Sequence, residues 1–321
     1  MKNKLILLCL GLLFISCKEL NEEQTKSKVE EVVSDVIPTY TSAKEALRYL
    51  SSDELEGRDT GSEGIDKAAT FIENALKEFQ IPPFFETYRD SFKLKELDGY
   101  NVVGIKKAET PSDLKPLVIG AHFDHIGHID AVDNDSIANG ANDNASGTVA
   151  VLELARFLSD KTLKRDVIFT LFSAEERGLV GSRHLANKLK SAEVEPYLVF
   201  NIEMLGVQMK DKNYKTYITG YEISNLAEVF NGFYDEELMG YLPKANEFNL
   251  FKRSDNYPFF EVFNIPAHTI CTFDFTNFDY YHHVKDEFEE LEVDAYVELV
   301  DELKPGVLKL INSTEIQVKL N

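Results

Sequence analysis

Residues 114–125 read LKPLVIGAHFDH, and two later stretches share the design: DVIFTLFSA at 166–174 and YLVFNIEML at 197–205. Each contains a short, continuous apolar run rich in Val, Ile, Leu and Phe, the pattern of a strand buried on both faces. Stretches with helical spacing lie between them, at about 145–159 and 179–190. Buried strands alternating with helices predict an α/β fold: a three-layer sandwich whose mixed, mostly parallel central sheet is covered by helices on both faces.

Outward from that centre the pattern continues. Helices are expected near 43–51 and 63–79, the second with Ala68, Phe71, Ile72, Ala75 and Phe79 at helical spacing. GYNVVGIKK (99–107) and HTICTFDF (268–275) read as strands, and a long helix closes the chain at about 291–312. At the other end, MKNKLILLCLGLLFISC (1–17) has two lysines and then an apolar run from Leu5 to Ile15. That is a secretory signal, too short to span a bilayer as a mature helix. Ser16 before Cys17 resembles a bacterial lipobox, which would make Cys17 the lipidated N-terminus; an ordinary cleaved signal that happens to end near a cysteine is the alternative. Lys18 is not Asp, which favours the outer membrane, so the expected location is the cell envelope of a Gram-negative bacterium. Residues 18–37, charged and poor in aromatics, read as a tether, and 38–321 as a single domain. Of the three cysteines, only Cys271 then remains, in an apolar stretch that predicts burial.

The chain has 321 residues, 44% of them apolar, and a formal charge of -21 from 34 basic and 55 acidic side chains. This composition fits a globular protein and argues against nucleic acid or an anionic membrane surface as a partner. Membrane contact is expected through the lipid anchor only.

The strands end in acids or a histidine: His122 and Asp124 after the first, Glu175 and Glu176 after the second, Glu203 in the third. In open α/β sheets ligands bind outside the carboxyl ends of the strands, so these residues should converge, with Asp143 in NDNASG (142–147) joining them if its loop folds over the same edge. Four unpaired carboxylates in one crevice repel one another and call for a bound cation. Histidine with carboxylate and no usable cysteine points to zinc or another divalent first-row metal. Taken singly, each residue has a plainer reading: Asp143 as a helix N-cap, Glu175 and Glu176 as a solvated helix start, His122 as a satisfied polar residue. Their joint placement carries the metal-site reading.

The ordered motifs GAHFDH, GANDNASG, SAEERGLVGS, NIEMLG, RSDNYPF and YYHHVKDEF, spread over most of the mature chain, resemble those of the M28 zinc aminopeptidases. These are metallopeptidases with two co-catalytic ions, related to the glutaminyl cyclases. The resemblance implies the corresponding phosphorylase/hydrolase-like fold and two Zn2+ ions per chain. His122 and Asp143 would be ligands, with Asp143 bridging; Glu176 and His282 would complete one site, and Glu203 would join His122 at the other. Asp124 would accept the second N–H of His122, Asp286 would serve His282 or the local turn, and Asp255 would support the site without ligating. Glu203 departs from the family, which usually has Asp there. His283 stands where a small polar residue is usual, and it, His125, His128, His184 and His268 are read as structural.

The implied reaction is removal of the first residue from peptides with a free N-terminus, by a hydroxide bridging the two ions in a monomeric enzyme. Glu175 would be general base and then general acid, and Tyr281 an oxyanion-stabilising phenol or a packing residue beside Tyr280. Tyr257, Phe259, Phe260, Phe273 and Phe275 are candidates for an apolar pocket around the first side chain. A glutaminyl cyclase is the nearest rival, although the chain has no tryptophan to sandwich a glutaminyl group. A non-catalytic zinc-binding lipoprotein that captures peptides is the other, and it would have no need of Glu175.

Overall fold

The computed structural model describes residues 36–315 and 317–321; the expected signal peptide, Cys17 and all but the last two tether residues lie outside them. In chain order the strands are β1 (Arg89–Leu94), β2 (Leu97–Lys106), β3 (Leu117–His122), β4 (Gly127–Val132), β5 (Asp135–Ala138), β6 (Val167–Phe172), β7 (Leu198–Glu203), β8 (Thr216–Ile218), β9 (Met239–Gly240) and β10 (Ala267–Cys271). Eight of them form one sheet in the order β1-β2-β6-β3-β7-β10-β8-β9. Its centre, β6-β3-β7-β10, is parallel, whereas β1 and β2 on one side and β8 beside β10 on the other add antiparallel pairings. β4 and β5 make a separate hairpin.

The three apolar runs of the sequence become β3, β6 and β7. β3 and β6 are buried at every residue, and β7 at all but Glu203, as strands covered on both faces must be. Alternation along each strand divides their side chains between two cores. Val118, Ile168 and Val199 pack with Leu185 and Leu189 of the helix Val180–Ser191 and with Phe259 and Phe263 of the helix Asn256–Phe263. Against the opposite face lies the helix Gly147–Leu158, almost wholly buried, with Ala43–Leu50, Glu63–Glu78 and Val293–Asn312 outside it. The two early helices begin where short polar side chains can cap them: Ser42 Oγ accepts from Glu45 N–H, and Ser62 Oγ from Ile65 N–H. Residues Pro38–Asn321 form one compact unit.

β1 was not legible as a strand, for a physical reason. Its inward positions are Asp90 and Phe92, and Asp90 is buried because it accepts from Lys188 Nζ at 2.6 Å and Asn101 Nδ2 at 3.2 Å, with His184 Nε2 also 3.2 Å away. An inward-pointing ion pair removes the apolar alternation that marks a strand in sequence.

Candidate metal centre

The central parallel strands all point their carboxyl ends to one edge of the sheet, and the registers His122↔Phe172 and Cys271↔Glu203 set those ends side by side. His122 and Glu203 are the last residues of β3 and β7. Glu175 and Glu176 follow β6 in a turn closed by Gly178 and Leu179 N–H groups donating to Glu175 O. Asp143 reaches the same place from the winding turn Ala141–Ser146, whose polar side chains tie it to the exit of β7. Asn142 Oδ1 accepts from Gly206 N–H at 2.8 Å, Asn144 Oδ1 from Met204 N–H at 3.1 Å, and Ser146 Oγ from Leu205 N–H at 3.0 Å. The neighbours of Asp143 in NDNASG therefore serve the loop, which leaves the aspartate free to face the crevice. Gly147 is required for this contact, since a Cβ there would lie 2.5 Å from Ile202 O.

The two oxygens of Asp143 face two different histidines. His122 Nε2 lies 3.3 Å from Oδ1, and His282 Nε2 lies 3.3 Å from Oδ2. Each histidine has a second carboxylate beside it: Glu203 Oε1 at 3.5 Å from His122 Nε2, and Glu176 Oε2 at 3.1 Å from His282 Nε2. Although so close to two carboxylates, His282 Nε2 makes no hydrogen bond with adequate geometry. Ligand atoms of His125, Asp143, Glu176 and His282 all lie within 4.8 Å of one another. A buried to half-buried set of nitrogen and carboxylate donors converging on common points is what a divalent cation needs.

The electrostatics make the same demand. Burial lowers the affinity of His122 for a proton, but Glu175, Asp143 and Glu203 together hold its pKa well above the usual value. His282 is pushed up to about 10, since Asp143 and Glu176 outweigh its burial. Burial would raise Asp143, yet the two histidines hold it well below the ordinary carboxylate range. Burial instead dominates at Glu203, which rises to about 7 despite His122 and Ser254. Glu175 also rises well above its ordinary value, through burial and through the charges of Glu203, Asp255 and Glu176, against the lowering effect of His122. Crowded carboxylates raise the proton affinity of both histidines and of Glu203 and Glu175, the response of a site short of positive charge, which a bound dication would supply.

Residues 101–303 match Peptidase family M28. The chain belongs to that family. Aminopeptidase YwaD of Bacillus subtilis is 36% identical over 107 residues, which are 33% of this chain and 22% of that protein, so the match spans about a fifth of the relative's length. Among solved structures, BSAP, a zinc aminopeptidase from Bacillus subtilis, has a TM-score of 0.65 at 16% identity, covering 85% of this chain and 96% of that one. The glutaminyl cyclase of Porphyromonas gingivalis has a TM-score of 0.62 at 15% identity, covering 85% and 98%. These structural likenesses show that the M28 chain has the fold of both enzymes.

Several supporting residues of this M28 chain act differently from expectation. Asp124 does not hold His122 through its carboxylate: the Oδ1 distance to His122 Nδ1 is 3.7 Å, whereas the Asp124 backbone carbonyl lies 3.1 Å away. Its carboxylate accepts from the N–H groups of Glu175 at 3.2 Å and Glu176 at 3.4 Å, and so positions the acidic turn. Asp286 has its N–H in the local turn, donating to His283 O at 2.9 Å, but its carboxylate does not hold His282; it accepts from Asn142 N–H at 2.7 Å and Asp143 N–H at 3.0 Å, fixing the loop that presents Asp143. Asp255 is fully buried and stands at about 7 because of burial and the charge of Glu203, against the lowering effects of His122 and Ser182. Its neighbour Ser254 donates to Glu203 Oε1 at 2.7 Å.

His125 is the residue that sequence reasoning missed in the M28 chain. It is fully buried, with Nδ1 3.1 Å from Glu176 Oε1 and 3.9 Å from Asp143 Oδ2. β3 ends at His122, so strand alternation no longer governs where His125 points, and the following turn brings it back to the site. His128, His184, His268 and His283 take other partners: Ser136, Asp90, Ser224 with Thr219, and the N–H of Lys285. Tyr281 stacks on His282, 4.0 Å between centroids, and on Phe273; it is 44% exposed and therefore open to a substrate. Burial and the charge of Asp143 raise its phenol, which stays a neutral O–H donor. Tyr281, Phe273 and Phe275 line a pocket of about 80 Å³ beside Glu203, room for one side chain rather than a run of residues. Tyr257, Phe259 and Phe260 do not: Phe259 belongs to the core, Phe260 packs against it, and Tyr257 stacks on Phe260. Cys271 lines the pocket as well as being buried, and burial pushes its thiol up to about 12.

Proposed function

We propose that the chain is a zinc-dependent aminopeptidase that hydrolyses the first peptide bond of peptides with a free N-terminus. The observation that carries this reading is Asp143, whose two oxygens face His122 and His282 at 3.3 Å each. One zinc ion would be held by His122, Asp143 and Glu203, a second by Asp143, Glu176 and His282, with His125 close enough to join the second or to orient Glu176. A zinc pair there supplies Lewis-acid polarisation of the scissile carbonyl and acidifies water.

The remaining roles belong to the chain itself. Glu175, next to Glu176 but paired with neither histidine, takes a proton from the attacking water and delivers it to the departing amine nitrogen; its raised pKa suits both steps. Tyr281 donates its O–H to the developing oxyanion. The aromatic pocket beside Glu203 receives the first side chain. Asp124, Asp286 and Ser254 hold Glu175 and Glu176, Asp143, and Glu203 in place.

The test is a product analysis of peptides that begin with Leu or Gln. The proposal predicts a free amino acid and a peptide one residue shorter, abolished by N-acetylation or a chelator. Pyroglutamate formed from the Gln peptide would establish a cyclase instead, and zinc-dependent capture with no turnover would establish a binder.

The sequence at 1–17 supports a lipid anchor at Cys17 in the envelope of a Gram-negative bacterium, at the outer membrane. Among the described residues no helix is long and apolar enough to cross a membrane. Cys17→Ala should move the protein from the membrane to the soluble fraction; unchanged membrane association would refute the anchor.

A further inference from the structure

Among the described residues the arginines are systematically paired, with one exception. Arg48, Arg89, Arg156, Arg177 and Arg183 face carboxylates, and Arg58 and Arg165 donate to backbone carbonyls. The Arg253 guanidinium has no hydrogen bond or ion pair among the described residues. In a chain with 55 acidic side chains against 34 basic ones, leaving an exposed arginine without any partner runs against expectation. Arg253 is exposed, and it lines the same pocket as Glu203 and Tyr281. Among the described residues it is the only cation in a lining that is otherwise mostly aromatic and apolar.

Its position is built into the backbone. The short turn Leu250–Lys252 ends with Arg253 N–H donating to Leu250 O at 3.0 Å, and the next residue, Ser254, donates to Glu203. Lys252 is turned away, over the ring of Tyr257.

We infer that Arg253 selects a carboxylate on the substrate, an inference that rests on the aminopeptidase reading and names its substrate class. A guanidinium is charged at all working pH values and its planar fork matches a carboxylate bidentately. The net charge of -21 repels acidic peptides at long range, so recognition of an anionic group requires a local cation of this kind. The carboxylate has two possible sources: the side chain of an acidic first residue, or the free C-terminus of a dipeptide.

The experiment uses the zinc-loaded protein and compares kcat/KM in two matched pairs. Glu and Gln arylamides differ in the charge of the first side chain, and Leu-Leu and its C-terminal amide differ in the terminal carboxylate. In Arg253→Gln the Glu/Gln ratio falls by about tenfold or more if the side chain is the source, and the Leu-Leu acid/amide ratio falls likewise if the C-terminus is. Arg253→Lys retains part of the lost ratio. Both ratios unchanged within about twofold in Arg253→Gln would overturn the inference. Wild-type protein that hydrolyses none of the four substrates would instead overturn the aminopeptidase reading.

Discussion

Glu175 and Glu176 are adjacent acids with opposite environments. Glu176 lies against His125 and His282, which lower its pKa despite burial and the nearby charge of Asp143. Glu175 is close enough to His122 to feel its charge, but burial and three other carboxylates win and its proton affinity rises. One residue is thus suited to hold a cation and its neighbour to carry a proton, a division that follows from position alone. Glu175→Gln keeps the size and the backbone turn while removing the proposed base. Turnover should fall by about 10²–10⁴-fold with zinc content and folding unchanged, as read by steady-state kinetics and elemental analysis. Wild-type turnover in that variant would remove Glu175 from the chemistry.

At the scale of elements, the site depends on how a loop is stitched to a strand. Asn142, Asn144 and Ser146 accept from three successive N–H groups beyond β7, and Gly147 lets the loop approach β7 closely. Gly147→Ala would set a methyl 2.3 Å from Asn144 Oδ1 and 2.5 Å from Ile202 O. A loss of about 1–3 kcal/mol is expected, seen as a lower denaturant midpoint; an unchanged midpoint would show that the seam is loose. Elements of this kind also decide what the sequence can reveal. β3, β6 and β7 were legible because two covered faces leave an unbroken apolar run. β1 was hidden by the inward ion pair of Asp90, and the β4–β5 hairpin by having only its end residues Gly127 and Ala138 buried, which leaves no apolar run. The crevice was legible because strand ends and acids coincide. The contact of His125 with Glu176, and the preference of Asp124 and Asp286 for backbone N–H groups, depend on turns whose path no periodicity encodes.

For the whole molecule, buried groups outside the site set a pH dependence of their own. His268 is neutral and fully buried, with Nδ1–H donating to Thr219 O at 2.8 Å and Nε2 accepting from Ser224 Oγ at 2.7 Å. Burial lowers its pKa to about 4, against about 6.5 in the unfolded chain. The unfolded state therefore binds a proton first as pH falls, and stability is lost from about pH 6.5 down to about 4, by up to about 3 kcal/mol. In chelator, where metal release contributes nothing, His268→Gln should flatten that slope relative to wild type; identical slopes would assign the dependence elsewhere. The central proposal is a two-ion site that shares Asp143, and zinc per chain, measured by elemental analysis, tests it most directly. The account predicts two ions in the wild type, one in Glu203→Ala and none in Asp143→Ala. A single ion in the wild type, or zinc retained by Asp143→Ala, would contradict it.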